Sequence, residues 1–255
     1  MDPIALAERN TAAFCEPTWS VQTDPEVAAL FAARYTEAVA RRSVSERGVF
    51  FLAISGGATP KRYFQALAAM AGANDFPWQE TVLFWVDERL VPPEDARSNY
   101  LLAKQAFLDQ APLLNSQIRR IRGELSLNAA VQAYEEELAA AFGPFSPDGP
   151  PCFDLVHLGL GSDGHAASLF PGDSALGDDA RRVTGVRRPG LAPFVPRVTL
   201  TLPALNASRN VLFLASGADK IALARRIASL PPCAPAAPPA ARIRPHGQLL
   251  WVLSP

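Results

Sequence analysis

Val49-Phe50-Phe51-Leu52-Ala53-Ile54-Ser55-Gly56-Gly57-Ala58-Thr59-Pro60 decides how the rest of the chain is read. Six apolar residues in a row, several β-branched or aromatic, describe a strand buried on both faces. Two glycines then make a tight turn, and Thr59-Pro60 reads as the cap and first turn of a helix. That helix carries Tyr63, Phe64, Leu67 and Met70 at helical spacing. Strand, glycine turn and helix together form the unit from which parallel sheets are built.

Working outward, the same alternation recurs. Upstream, Asp24-Pro25 caps a helix with Val27, Leu30, Phe31, Tyr35 and Val39 at helical spacing. Downstream, strands are expected over Thr81–Val86, Phe153–Leu158, Arg197–Leu202, Asn210–Ala215 and Gln248–Leu253. Helices are expected from Ser98 to Leu108, from Asn128 as cap to Phe142, and over Ala218–Ser229. The pattern predicts an α/β fold, Rossmann-like, with a mostly parallel sheet flanked by helices on both faces. Neither a repeat nor a clear boundary divides the chain, so residues 1–255 are read as a single domain. Gly143–Pro151 reads as a turn, and Pro231–Ala240, built only of Pro, Ala and Cys, as an exposed loop.

Composition narrows the function. With 24 Lys+Arg against 25 Asp+Glu the formal charge is −1, which offers no general grip on nucleic acid or an anionic membrane. The chain shows neither a cationic leader with an apolar core nor a run long enough to span a bilayer, so a cytoplasmic protein is expected. Cys15, Cys152 and Cys233 are far apart and in no metal-binding or disulfide pattern. Only three histidines and three lysines are available, which makes the search for reactive groups short.

Ligands of parallel sheets sit beyond the carboxyl ends of the strands, so the turns carry the argument. Ser55-Gly56-Gly57-Ala58-Thr59 leads into a helix N-terminus, a place that favours an anion such as phosphate. It lacks the Lys-Ser/Thr ending of a nucleotide P-loop. Asp87-Glu88-Arg89 puts charge directly after a strand, with Arg97-Ser98-Asn99 as a polar lead into the next helix. Gly159-Leu160-Gly161-Ser162-Asp163-Gly164-His165 formally matches a dinucleotide fingerprint. Pro171-Gly172 follows too soon for the long helix that fingerprint requires, so nicotinamide binding is rejected. Asp163 and His165 instead form a candidate working pair, with the imidazole as general base. They lack a third ligand at convincing spacing for a metal, and the chain has no Gly-x-Ser-x-Gly elbow. His157 lies in an apolar run and reads as a satisfied core residue; His246 reads as solvent-facing. Arg197 and Lys220 are two further cations at a strand start and a helix start, the latter making sense beside a bound anion.

Together these segments resemble the 6-phosphogluconolactonase family, from about Asp24 to Trp251. The matching residues are Ser55-Gly56-Gly57-x-Thr59-Pro60; Asp87-Glu88-Arg89-x-Val91-Pro92 with Ser98-Asn99; Gly159-x-Gly161-x-Asp163-Gly164-His165-x-Ala167-Ser168-Leu169-Phe170-Pro171-Gly172; Arg197-x-Thr199-Leu200-Thr201; and Gly217-x-x-Lys220. The resemblance implies hydrolysis of 6-phospho-D-glucono-1,5-lactone without a cofactor or metal. It implies His165 as the base that activates water and Asp163 as its positioning partner. Ser55, Gly56, Gly57, Thr59, Asp87, Arg89, Arg197 and Lys220 would line the sugar-phosphate site. Asp87 would hold sugar hydroxyls, and the cations would meet phosphate or the developing oxyanion. The expected partner is a small phosphorylated sugar lactone, with neither nucleic acid nor membrane, bound by a monomer.

Ala58 and Ala166 depart from the family by replacing hydroxyl residues, which predicts weaker affinity with function kept. The resemblance extends to glucosamine-6-phosphate deaminases/isomerases, which carry a glutamate a few residues beyond the histidine. Here that stretch is Ala166-Ala167-Ser168-Leu169-Phe170, without an acid. A non-catalytic sugar-phosphate sensor is the remaining alternative, though this N-terminus has no room for a DNA-binding domain.

Overall fold

The computed structural model describes residues 1–7, 16–70, 76–143, 153–230 and 237–255. The three cysteines, most of the Gly143–Pro151 turn and positions 231–236 lie outside the described residues. The elements follow in the order α1 (Pro3–Ala7), β1 (Thr18–Val21), α2 (Pro25–Arg47), β2 (Phe50–Ile54), α3 (Ala58–Ala69), β3 (Thr81–Trp85) and β4 (Asp87–Arg89). Then come α4 (Asn99–Ala103), β5 (Ile118–Arg119), α5 (Leu127–Phe142), β6 (Leu155–Leu158), β7 (Val183–Val186), β8 (Arg197–Leu200) and α6 (Leu202–Asn206). β9 (Asn210–Ser216), α7 (Ala218–Ala228) and β10 (Gln248–Ser254) complete the chain.

Seven strands form one parallel sheet in the order β1-β10-β9-β6-β2-β3-β5. Every residue of β10 is buried, so both faces of the sheet are covered, as its continuous apolar run requires. β4, β8 and β7 make a second, antiparallel sheet of three strands. Val86 is the junction: its N–H donates to the Ile54 carbonyl in the first sheet, and its carbonyl accepts from Leu200 N–H in the second. The three-residue strand β4 replaces the charged turn expected after β3.

Side-chain caps set the starts of α2, α4 and α6. Asp24 Oδ1 accepts the Val27 N–H and Pro25 opens α2, as expected. The buried face of α2 is built on Ala28, Ala32, Tyr35, Val39 and Ala40, while Val27 and Leu30 are exposed. Small alanines let the helix approach the sheet closely, which the two larger exposed residues would not. α3 starts two residues earlier than Thr59-Pro60 implies. Gly57 sits at its N-cap with φ +118°, a conformation an L side chain rarely adopts, and makes no side-chain cap. α5 likewise begins at Leu127 behind Ser126, not behind Asn128. β8 stops at Leu200 because Thr201 turns the chain, its Oγ1 accepting from Ala204 N–H at the start of α6.

Two further expectations change. Ala237, Pro239 and Ala240 are buried, so the end of the Pro/Ala stretch is not an exposed loop. It packs on the glycine turn: Ala240 N–H donates to the Gly164 carbonyl at 3.0 Å, and a Cβ on Gly164 would lie 2.6 Å from Pro238 Cβ. His157 is fully buried in β6 and stacks on Tyr63 at 4.6 Å, but neither ring nitrogen has a partner among the described residues. It is a core residue, though not a satisfied one. Burial pushes its imidazole down to about 3. His246 is exposed, as expected. No helix among the described residues is long and apolar enough to cross a membrane.

Candidate active site

The carboxyl ends of β2, β3, β6 and β9 open onto a cavity of about 320 Å³. Ser55, Gly56, Gly57 and Thr59 line it from the turn after β2, and Asp87 and Arg89 from β4. Gly161 and His165 come from the turn after β6, Arg197 from β8 and Lys220 from α7. Asp163 is not a lining residue but binds His165 directly. Residues from Ser55 to Lys220 thus meet at one place, where a parallel sheet puts its ligands.

The Asp163–His165 pair is tightly built. Asp163 Oδ1 accepts the His165 backbone N–H at 3.0 Å and lies 2.6 Å from Nδ1 of the same ring. An ionised carboxylate only accepts, so in the neutral imidazole the proton sits on Nδ1 and the lone pair on Nε2. The ring rests against Phe170 at 4.7 Å. Gly161 leaves the space the ring needs, since a Cβ there would lie 2.0 Å from Nδ1.

Antiparallel pairing sorts Asp87-Glu88-Arg89 into two roles. Asp87 registers with Thr199 and Arg89 with Arg197, so these four side chains share one face. Two guanidinium groups directly opposite each other repel, and an anion between them removes the conflict. Arg197 is 3% exposed; its guanidinium donates to the carbonyls of Leu191 and Pro193 and lies 5.3 Å over the Phe170 ring. Burial lowers its proton affinity, Asp87 opposes that shift, and Arg89 adds to it. Nε of Arg89 and Nε of Arg197 are both buried without partners among the described residues. Lys220 Nζ donates to the Leu160 carbonyl at 2.6 Å. Burial lowers its proton affinity too, and Asp163 opposes the shift.

Glu88 faces the other way and had no role in the sequence reading. Its buried carboxylate accepts from the N–H groups of Arg89, Asn99 and Tyr100 and from Ser98 Oγ, all within 2.9 Å. It holds the start of α4 from outside the helix. Burial raises its proton affinity, and these four donors oppose that. Ser168 was also missed: its Oγ donates to Asp87 Oδ2 at 2.6 Å, and its backbone N–H donates to Thr199 Oγ1 at 3.1 Å. These contacts tie the histidine turn to the small sheet. The signal for both residues was their place in the quoted motifs.

The family described as glucosamine-6-phosphate isomerases/6-phosphogluconolactonase matches residues 23–251. The chain is 39% identical over 217 residues to a 6-phosphogluconolactonase of Synechocystis sp., covering 83% of this chain and 85% of that one. It is also 39% identical over 209 residues to the human 6-phosphogluconolactonase, covering 81% and 79%. The solved structure of 6-phosphogluconolactonase from Trypanosoma brucei superposes with a TM-score of 0.82 at 30% identity, covering 95% of this chain and 97% of that one. The chain belongs to the glucosamine-6-phosphate isomerase/6-phosphogluconolactonase family.

Proposed function

We propose that the protein hydrolyses 6-phospho-D-glucono-1,5-lactone to 6-phospho-D-gluconate. The observation that carries the reading is the Asp163-oriented imidazole of His165 on the rim of a cavity that also holds Arg89, Arg197 and Lys220. With Nδ1 committed to Asp163, Nε2 is the nitrogen free to take a proton from water. The hydroxide equivalent adds to the lactone carbonyl, and the developing oxyanion is met by cationic donors. Collapse breaks the bond from the carbonyl carbon to the ring oxygen, which takes the proton back from the imidazolium. The product acid then ionises in water.

In this reading Ser55, Gly56, Gly57 and Thr59 with α3, together with Arg89, Arg197 and Lys220, hold the sugar phosphate, and Asp87 takes hydroxyls. The chain works as one domain and as a monomer in the cytoplasm, on a small-molecule substrate. The acid-free stretch Ala166–Phe170 favours the lactonase over a deaminase. The test follows lactone loss above the spontaneous rate, for wild type and His165→Ala. Wild type exceeds the blank, and His165→Ala loses about 10²–10⁴-fold. A wild type no faster than the blank overturns the activity, and a fully active His165→Ala overturns the mechanism.

A further inference from the structure

β9 and β10 end side by side on two serines, Ser216 and Ser254, which are partners in the strand register. Ser254 is fully buried, and its Oγ lies 2.8 Å from Ser216 Oγ. Its main chain is held too, since its carbonyl accepts the Gly217 N–H at 2.9 Å. Ser216 is only half-buried and lines the cavity. Ser254 lies beyond residues 23–251, the stretch shared with the family.

The proton count of the pair follows from burial. Among the described residues, Ser216 Oγ is the one hydrogen-bond partner of the Ser254 hydroxyl. A buried O–H without an acceptor is costly, so Ser254 donates and Ser216 accepts. Ser216 therefore keeps its own proton, which has no acceptor among the described residues. The exposed member of the pair is left as a donor at the cavity wall.

Strand alternation says which side of the sheet it serves. His157 of β6 stacks on Tyr63 of α3 and is in register with Leu212 of β9. Side chains alternate along a strand, so Leu212, Leu214 and Ser216 share the α3 face. Gln248 of β10, in phase with Ser254, accepts from Tyr35 of α2 on that same face. The first turn of α3 lines the cavity through Gly57, Thr59 and Pro60, and its N-terminus has no side-chain cap. Lys220, in the first turn of α7, lines it as well.

We infer that Ser216 Oγ donates a hydrogen bond to the phosphate of the substrate, and that Ser254 is the positioning residue which leaves the Ser216 proton free for it. This rests on the lactonase reading given above. The neighbourhood selects phosphate over a sugar hydroxyl. An ammonium and the open N–H groups of a helix start are donors, like Ser216 itself. A phosphate oxygen accepts from all of them, whereas a hydroxyl would bring one more proton to a place already rich in them.

The test applies two readouts to wild type, Ser216→Ala and Ser254→Ala: steady-state kinetics on the lactone, and phosphorus NMR titration with inorganic phosphate. Ser216→Ala raises KM about 10-fold with kcat kept, and weakens inorganic phosphate by a similar factor. Ser254→Ala moves both quantities the same way by less, because the Ser216 hydroxyl remains while its proton is no longer committed. Ser216→Cys, of the same shape but a weak donor, is read instead if the alanine variant does not fold. A loss confined to kcat, or a raised KM with phosphate affinity unchanged, overturns the contact while lactonase activity stands. Wild-type values for Ser254→Ala overturn its positioning role. A wild type without lactonase activity overturns the lactonase reading, and the phosphate titration still decides whether Ser216 holds phosphate.

Discussion

A single carboxylate oxygen, Asp163 Oδ1, holds His165 at two points, its backbone N–H at 3.0 Å and its ring Nδ1 at 2.6 Å. The two-residue spacing makes this possible, because the turn brings the side chain back over the next backbone amide but one. Ring and main chain are therefore fixed by the same group. Asp163→Asn keeps the shape but removes the anion that selects the tautomer. Steady-state kinetics on the lactone are expected to show kcat lower by about 10²-fold with KM little changed. A change confined to KM would argue against an orienting role.

Gly161 tests the same relationship from the other side. In Gly161→Ala the new Cβ would stand 2.0 Å from His165 Nδ1 and 2.3 Å from Cε1, so the ring must leave its place. Displacement of a reacting group by about 1 Å costs on the order of 10²-fold. The variant is expected to lose at least that much in kcat/KM while its circular dichroism stays native.

Glu88 organises the floor of the site without facing it. Glu88→Gln replaces one acceptor oxygen by a donor that must confront at least one backbone N–H, of Tyr100 or of Arg89 and Asn99. Urea unfolding is expected to show a loss of about 1–3 kcal/mol. Retention of full stability would mean that the start of α4 is held by Ser98 alone, whose Oγ accepts from Leu101 N–H.

His157 makes stability depend on pH. The unfolded chain takes up a proton as pH falls through about 6.5, whereas the buried ring resists until about 3. Its contribution is therefore complete above about 6.5 and declines as pH falls through the window below. Between pH 7 and pH 5 the loss is about 2 kcal/mol. Glu88 and Asp154, whose carboxyls burial shifts upward, act with the opposite sign. The difference between wild type and His157→Phe isolates the histidine: toward acid, wild type should lose about that much unfolding free energy relative to the variant, whose ring cannot titrate. A difference independent of pH would refute it.

How much was legible follows from the range of each interaction. Strands β2, β9 and β10 and helices α2 and α7 were readable because burial on both faces or at helical spacing leaves a local pattern. The Asp163-Gly164-His165 turn was readable because its two reactive groups lie within one turn of chain. β4 was not, since three residues are too few to display a period. Pro238–Ala240 was misread because small and cyclic residues suit a loop and a packed segment equally well. Its burial comes from contact with Gly164.

The sequence by itself determined the order of helices α2, α3, α5 and α7 and strands β2, β3, β6, β8, β9 and β10, the parallel character of the main sheet, and the turns where chemistry collects; it did not display the short elements α1, β1, β4, β5, β7 and α6. These are consequences of side-chain shape and backbone propensity over a few residues. Tertiary structure alone decided that Arg89 stands opposite Arg197, that Glu88 turns away from the cavity, and that Asn99 Oδ1 meets the space left by Gly56. Those relationships depend on strand register and on close packing between segments far apart in the chain. A one-residue slip of β4 would turn every one of its side chains to the opposite face.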